Sequence, residues 1–453
     1  MKLVDKTCWL CNSTEWINVD YLRTERAGMV VCKGCGLVTF NRFSCEDEYH
    51  TYYEEQYRQV KTVATNNLVT TNRKVGYHDA FLTPYLKEKQ NGTKKPLIVG
   101  EIGTGTGYFL RWMRDVYGAE VLGCELTSTF RRYAKWAFDI DLTKEFDFSK
   151  KYDLIAIYHT LEHVPNPKEL LLKLRECLNE GGVLYIAAPV WMEEMQRWGG
   201  GAFTTFDDHF HPDHINAWSR WHLKALFRTT GWQIVKEQNK MYGHTVILER
   251  TEVCQSLDTP PQTHEQVVEQ LTNMKKAVVA YQAGQYKEAI SIYPQFVDAY
   301  LAQAGGEKDS APTLELFALG ENCCPNTSLF NASRGLHLYQ QARYDEAERE
   351  LATAISLKPG DDNLLLHLAI IYIRRAEQAI KQDLEKGKSL FRVAVNILDK
   401  IIAINPTQYQ QCYDLIGFIF STIPIGGEEA VLAPPFTAPH AEGAPHITIT
   451  GQE

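Results

Sequence analysis

The stretch Leu97-Ile98-Val99-Gly100-Glu101-Ile102-Gly103-Thr104-Gly105-Thr106-Gly107, followed by Tyr108-Phe109-Leu110-Arg111-Trp112-Met113, decides the fold. A short apolar run ends in an acid and a glycine-spaced loop, and a helical pattern starts directly after it. Glycines placed between a buried strand and a helix let a ligand approach the backbone, with the helix N–H groups facing it. A dinucleotide fingerprint reads GxGxxG. Counted from Gly103, the third glycine comes one residue early, at Gly107, and Tyr108 stands in the position it should fill. Glu101, ahead of the glycines, would repel a pyrophosphate and suits an ammonium or sulfonium ligand.

On the carboxyl side of this loop the same alternation continues to about Arg250. The runs Leu97–Ile102, Ala119–Cys124, Tyr152–Tyr158 and Gly182–Ala187 read as strands separated by segments of helical period. That pattern predicts a parallel sheet covered on both faces. Leu170, Leu171, Leu174 and Leu178 form a helical stripe over Pro167 to Leu178, stopped by Gly181-Gly182. Glu125 ends the second strand, where a carboxylate can accept both hydroxyls of a ribose; the competing reading is a solvated acid at a strand end.

On the amino side, Cys8-Trp9-Leu10-Cys11 and Cys32-Lys33-Gly34-Cys35 are two CxxC knuckles separated by 20 residues. The spacing suits a tetrahedral four-thiolate zinc site, and a redox CxxC would need no second copy. With all four positions taken by Cys8, Cys11, Cys32 and Cys35, the expected role of the metal is structural, in a zinc ribbon over residues 1–48. Cys45 lies outside the pattern and reads as an ordinary thiol. Tyr49, Tyr52, Tyr53, Glu54, Glu55 and Tyr57 open a tyrosine-rich acidic stretch, read as a helical connector over 49–96.

Beyond residues 97–250 and a linker over 251–266, the composition turns to Ala, Leu, Gln and Glu at helical spacing. A 34-residue unit counted from Ser328 places Gly335, Ala347, Leu351, Ala354 and Pro359 where a tetratricopeptide repeat wants small, small, large, small and its terminating proline. Leu365, Leu368, Ala369 and Tyr372, then Ala394, Leu398, Ile401 and Pro406, read as a second unit with lengthened helices, and Ala283 to Ala289 as a weaker copy. The expectation is all-α tetratricopeptide-like repeats over 267–423, suited to docking a protein partner, and a disordered tail over 424–453.

Length and charge bound the alternatives. A chain of 453 residues exceeds one ordinary core, so three domains are expected. A net charge of -9 argues against a large phosphate-tracking surface, and hence against nucleic acid as the main partner. No apolar stretch of about 18 residues and no apolar signal core are found, so no membrane role is expected and the location expected is cytoplasmic. There the 11 Cys should be reduced or metal-bound.

Taken together, Glu101, Gly103, Gly105, Gly107 and Glu125 resemble the first two motifs of class I S-adenosylmethionine-dependent methyltransferases. Tyr152 to Val164 looks like that family's fourth strand and the loop after it, and Leu178 to Ala187 like its fifth. The resemblance implies a Rossmann-like domain over 97–250 with S-adenosylmethionine as cofactor. His159-x-x-Glu162-His163 also matches the HxxEH pattern of zinc proteases, but it follows a strand and is cut off by Pro165 and Pro167, so a continuing helix is excluded.

Phe206-Asp207-Asp208-His209-Phe210-His211-Pro212-Asp213-His214 resembles the FDxxYHEH stretch of zinc-ribbon sugar methyltransferases; His211 matches its first His, and His214 the second only with one residue inserted. Phe210 stands where that family has a tyrosine. The resemblance implies a sugar or other small hydroxylated acceptor, with His211 as base and His214 and His159 as alternatives. A protein acceptor held by the repeats and a scaffold without chemistry are the competing readings.

Overall fold

The computed structural model describes residues 7–23, 28–41, 46–56, 78–88, 95–190, 210, 214–240, 243–254, 256–306, 310–323 and 328–423. His211, Cys45, Tyr57 and the tail over 424–453 lie outside the described residues. Within them the chain forms two compact units, one of residues 7–56 and 95–299, the other of residues 78–88 and 300–423.

The first unit is built on a six-stranded sheet of order β5-β4-β6-β7-β10-β9. Its strands are β4 (Ile98–Ile102), β5 (Glu120–Cys124), β6 (Tyr152–Tyr158), β7 (Leu178–Ala188), β9 (Trp232–Lys240) and β10 (Gly243–Arg250). β4 to β7 run parallel, and β10 is antiparallel to both β7 and β9. Leu154, Ile155, Ala156 and Ile157 are all fully buried, as a central strand covered on both faces requires. Ile155, Ile157, Leu184, Ile186, Val246 and Leu248 share one cluster with Leu171 and Leu174 of α3 (Pro167–Arg175) and Leu226 and Phe227 of α4 (Arg220–Thr229). Tyr185 stacks at 6.0 Å on Phe109 of α1 (Tyr108–Tyr117); α2 (Ser128–Phe138) follows β5.

α3 is shorter than its leucine stripe predicts. Asn166 caps it by accepting from Glu169 N–H, and it ends at Arg175, so Leu178 starts β7 instead of closing the helix. Tyr152 N–H is satisfied by Cys177 O, and Tyr152 pairs with Leu178 across the sheet. The sheet therefore claims Leu178, three residues before Gly181.

A second sheet has the order β1-β2-β3-β8, with β1 (Trp16–Asn18), β2 (Gly28–Cys32) and β3 (Val38–Asn41) from the cysteine-bearing segment. Its fourth strand, β8 (Asn216–Ala217), comes from far along the chain and pairs with Val38 and Thr39. The cysteine-bearing sheet is thus completed by a strand from outside residues 1–48. Its apolar residues Met29, Val31, Val38 and Phe40 are covered by Val267, Leu271, Met274 and Val278 of α5 (His264–Gln282). This is why the first unit extends to residue 299, past the break expected near Thr251. α6 (Tyr286–Ile292) lies in the same unit, and its Ala289 joins the same cluster.

The second unit is helical. α7 (Ser328–Gln340) and α8 (Tyr344–Leu357) form a hairpin in which Gly335 is close enough that a Cβ would stand 3.0 Å from Leu351. Ala347, Leu351 and Ala354 are fully buried there. α9 (Asp362–Ala379) and α10 (Leu384–Ile404) are longer, and bury Ala369, Ala394, Leu398 and Ile401 together with residues of α11 (Tyr409–Thr422). Among the described residues no helix is long and apolar enough to cross a membrane.

Leu271 is fully buried between α5 and the ribbon sheet. Leu271→Ala is expected to lower the stability of the first unit by about 2–5 kcal/mol in denaturant titration. A chain ended at Thr251, which uncovers that face, should melt lower and bind a hydrophobic dye.

Candidate functional site

The site lies at the carboxyl ends of β4, β5 and β6, where ligands of open α/β sheets bind. Gly103, Gly105 and Gly107 all have positive φ (71°, 52° and 82°), a conformation that disfavours any residue with a Cβ. At Gly103 a Cβ would also come within 2.3 Å of Thr160 Oγ1, whereas at Gly105 nothing lies within 4 Å. The loop is therefore held against the β6 turn at one glycine and open to a ligand at another. Gly103 and Thr104 N–H groups donate to Cys124 O at 3.0 and 3.2 Å, wrapping the loop over the end of β5.

Glu125 is buried, and the solvated alternative does not describe it. Its Oε2 accepts from Gly105 N–H at 2.8 Å and its Oε1 from Thr127 N–H at 2.9 Å, which leaves each oxygen lone-pair capacity for a further donor. Burial pushes its carboxyl above the ordinary range, and the Thr127 and Gly105 bonds pull it back. Glu101 is pushed well above that range, first by burial and then by the charge of Glu125. Its Oε2 has no hydrogen bond among the described residues. A cationic ligand group next to Glu101 and a diol next to Glu125 would answer both conditions, so the residues present fit S-adenosylmethionine.

Beyond β6 the chain turns sharply. His159 takes a left-handed conformation (φ 49°), and Leu161–His163 form one turn of 3-10 helix in place of the continuous helix a zinc protease needs. Glu162 has 0% exposure, and both its carboxylate oxygens lack a hydrogen bond among the described residues. Around its Oε1 stand His159 Nδ1 at 3.6 Å, His214 Nε2 at 3.9 Å and His163 Nε2 at 4.0 Å. Tyr53 Oη hydrogen-bonds His163 Nδ1 at 2.9 Å, and Tyr53 O accepts from Thr127 Oγ1 at 3.0 Å. Glu54 pairs with Arg131 at 3.1 Å and Lys144 at 2.7 Å, and Arg131 also donates to Glu125 O. The stretch read as a connector thus ties the Glu125 side of the site to the histidine side.

The N-terminal segment carries a separate cysteine cluster. The four sulfurs of Cys8, Cys11, Cys32 and Cys35 lie within 4.8 Å of one another, with Cys8–Cys35 at 3.7 Å and Cys11–Cys32 at 3.4 Å. Zinc–sulfur bonds of about 2.3 Å in a tetrahedron put sulfurs roughly 3.8 Å apart, so the cluster is compatible with a zinc site. Hydrogen bonding with Cys11 raises the Cys35 thiol and lowers that of Cys32. Sulfurs this close cannot all ionise without a cation between them.

The cysteine knuckles are held to the sheet domain by buried polar bonds. Trp9 Nε1 donates to Asn216 Oδ1 at 3.0 Å, and Asn216 Nδ2 donates to Val164 O at 2.8 Å. His222 Nδ1 bonds Ser219 Oγ at 2.7 Å and its Nε2 bonds Cys35 O at 2.9 Å; burial lowers this imidazole to about 4, so it is neutral and Nε2–H is the donor. Ile215 N–H donates to Glu162 O and Phe40 N–H to Ile215 O, both at 2.9 Å.

Of the residues singled out in the sequence, Glu101, Gly103, Gly105, Gly107 and Glu125 come together at one sheet end, and His159 and His214 meet around Glu162. Tyr53, Asn216 and the convergence of His163 and His214 were not legible. The density of Tyr49, Tyr52 and Tyr53 was the available signal for the first; the others join segments some 50 or more residues apart.

Residues 79–237 match a family described as "Methyltransferase domain". This part of the chain is therefore similar to a methyltransferase domain; Cys8, Cys11, Cys32 and Cys35 and the C-terminal helices fall outside the match. No curated protein matches the chain. Similar solved structures include an S-adenosylmethionine-dependent methyltransferase from Mesorhizobium loti, 20% identical, covering 37% of this chain and 96% of that one at a TM-score of 0.29. Magnesium protoporphyrin IX methyltransferase from Synechocystis with bound cofactor is 12% identical, covering 46% and 100% at 0.33. An S-adenosylmethionine-dependent methyltransferase from Clostridium acetobutylicum is 10% identical, covering 42% and 96% at 0.31. None of these bears on the acceptor.

The raised carboxyl of Glu101 has a stability consequence. From its ordinary value of 4.5 upward, the unfolded chain gives up this proton before the native one does, so the group costs stability as pH rises. Glu101→Gln should therefore melt higher than the parent at pH 8, with the difference shrinking toward pH 4, in thermal scans of the ligand-free protein.

Proposed function

We propose that the chain transfers a methyl group from S-adenosylmethionine to a sugar or other small hydroxylated acceptor bound beside the β6 turn. The observation that carries this reading is the buried Glu162 with its surrounding imidazoles, set next to the glycine loop through the Thr160–Gly103 approach.

Glu125 would hold the ribose hydroxyls, Glu101 would face the cationic part of the cofactor, and the loop from Gly103 to Gly107 would admit it to the backbone. When bound, the cofactor supplies a methyl on an already activated sulfonium. What is left to the protein is alignment of the acceptor and removal of its proton. An imidazole beside the buried Glu162 carboxylate is suited to that task, because the carboxylate stabilises the imidazolium that forms. His211 is the first candidate from the sequence, and His159 and His214 are the alternatives placed beside Glu162. We assign zinc to Cys8, Cys11, Cys32 and Cys35 as a structural ion, and partner docking to the tetratricopeptide-like helices of residues 300–423.

Methyl-labelled S-adenosylmethionine incubated with the protein and fractionated extract should label carbohydrate or small-molecule fractions; label confined to protein would refute the acceptor class. Glu125→Ala should weaken cofactor binding by at least about tenfold in calorimetry, the loss of one or more charge-assisted hydrogen bonds, and leave zinc content unchanged. Cys32→Ser should lose the zinc and much of the ribbon's stability, read by metal analysis and thermal melting.

A further inference from the structure

We propose that Glu162, His163 and His214 form a second metal centre, a binding site for a divalent first-row transition ion at the acceptor side of the domain. One donor atom from each of the three lies within 4.8 Å of the others. Donors sharing an ion at bonds of about 2.1 Å stand roughly 3–3.5 Å apart. The 3.9 and 4.0 Å separations from Glu162 Oε1 to the two Nε2 atoms are wider by about 0.4–1 Å, within reach of side-chain rotations.

Three features distinguish this cluster from a chance gathering. The Glu162 carboxylate is wholly buried with neither oxygen hydrogen-bonded among the described residues, a costly state that a bound cation relieves. His163 has Nδ1 engaged by Tyr53 Oη, which fixes the ring and leaves Nε2 toward Glu162, the outer-shell arrangement of metal-ligating histidines. The two segments are pinned by backbone as well: Ile215 N–H to Glu162 O brings His214 to the turn.

Two imidazoles and one carboxylate select a first-row transition ion over magnesium or calcium, which prefer all-oxygen shells. Three protein ligands leave open positions, and adjacent oxygens of a polyol would occupy them. His159, 36% exposed at the side-chain level and outside the three-residue set, remains free to take the hydroxyl proton. This catalytic part rests on the proposed methyl transfer; the binding of the ion does not.

The test is titration of the full-length, untagged protein, its cysteine site loaded with zinc, with Co2+ under visible absorption. One equivalent should bind with weak ligand-field bands and without intense sulfur-to-cobalt charge transfer. Glu162→Gln and His214→Ala should each weaken binding by about tenfold or more, and Tyr53→Phe by up to about tenfold. Should Glu162→Gln fail to fold, His214→Ala, on a partly exposed residue, gives the same readout. Absent stoichiometric uptake, unchanged affinity in the His214 variant, or thiolate bands would each overturn the proposal. Calorimetry with S-adenosylmethionine on the same samples separates the two ideas: cobalt uptake without cofactor binding would fail the methyltransferase reading and leave the metal site standing.

Discussion

Asn216 joins the cysteine-bearing sheet to the turn after β6. Its carboxamide accepts from the Trp9 indole and donates to Val164 O, and its backbone belongs to the strand that completes the ribbon sheet. The residue is almost fully buried, so either bond left unmade would cost about 1–3 kcal/mol. The position of His214, two residues before it, follows from that constraint. Whatever holds Cys8 and Cys35 in place, on either side of Trp9 and His222, also holds the histidine near Glu162. A structural ion in the ribbon would in this way be part of the site without touching a ligand.

Three buried carboxylates crowd the same end of the sheet: Glu101, Glu125 and Glu162. Glu125 is stabilised by two backbone N–H groups, whereas Glu101 and Glu162 have oxygens without hydrogen bonds among the described residues. Burial of this kind weakens a fold unless positive charge arrives. At the ends of β4 and β6 the chain thus keeps two buried carboxyl groups, Glu101 and Glu162, whose burial is not offset by hydrogen bonds to all their oxygens among the described residues.

The helices after residue 263 divide between two jobs. α5 covers the apolar face of the ribbon sheet through Val267, Leu271 and Met274, so it serves the stability of the first unit. From α7 onward the helices bury their small residues against one another, with Gly335, Ala347 and Ala394 allowing close approach. Similar helical periodicity along the chain thus hides a change of partner, which falls at residue 299.

The sequence by itself determined the local chemistry: apolar runs long enough for a buried sheet, glycines where φ must be positive, an acid at the end of each of the first two strands, and four cysteines at metal spacing. These were readable because each depends on residues a few positions apart. It also carried the helical hairpin at Ser328, whose small residues recur at fixed offsets. Only the tertiary structure decided that Leu178 belongs to a strand, that the ribbon sheet borrows Asn216–Ala217, and that Tyr53, His163 and His214 meet at Glu162. Each of these joins segments that sequence spacing does not relate. A one-dimensional pattern records the preference of a residue for burial or a turn, but not which distant surface completes its hydrogen bonds.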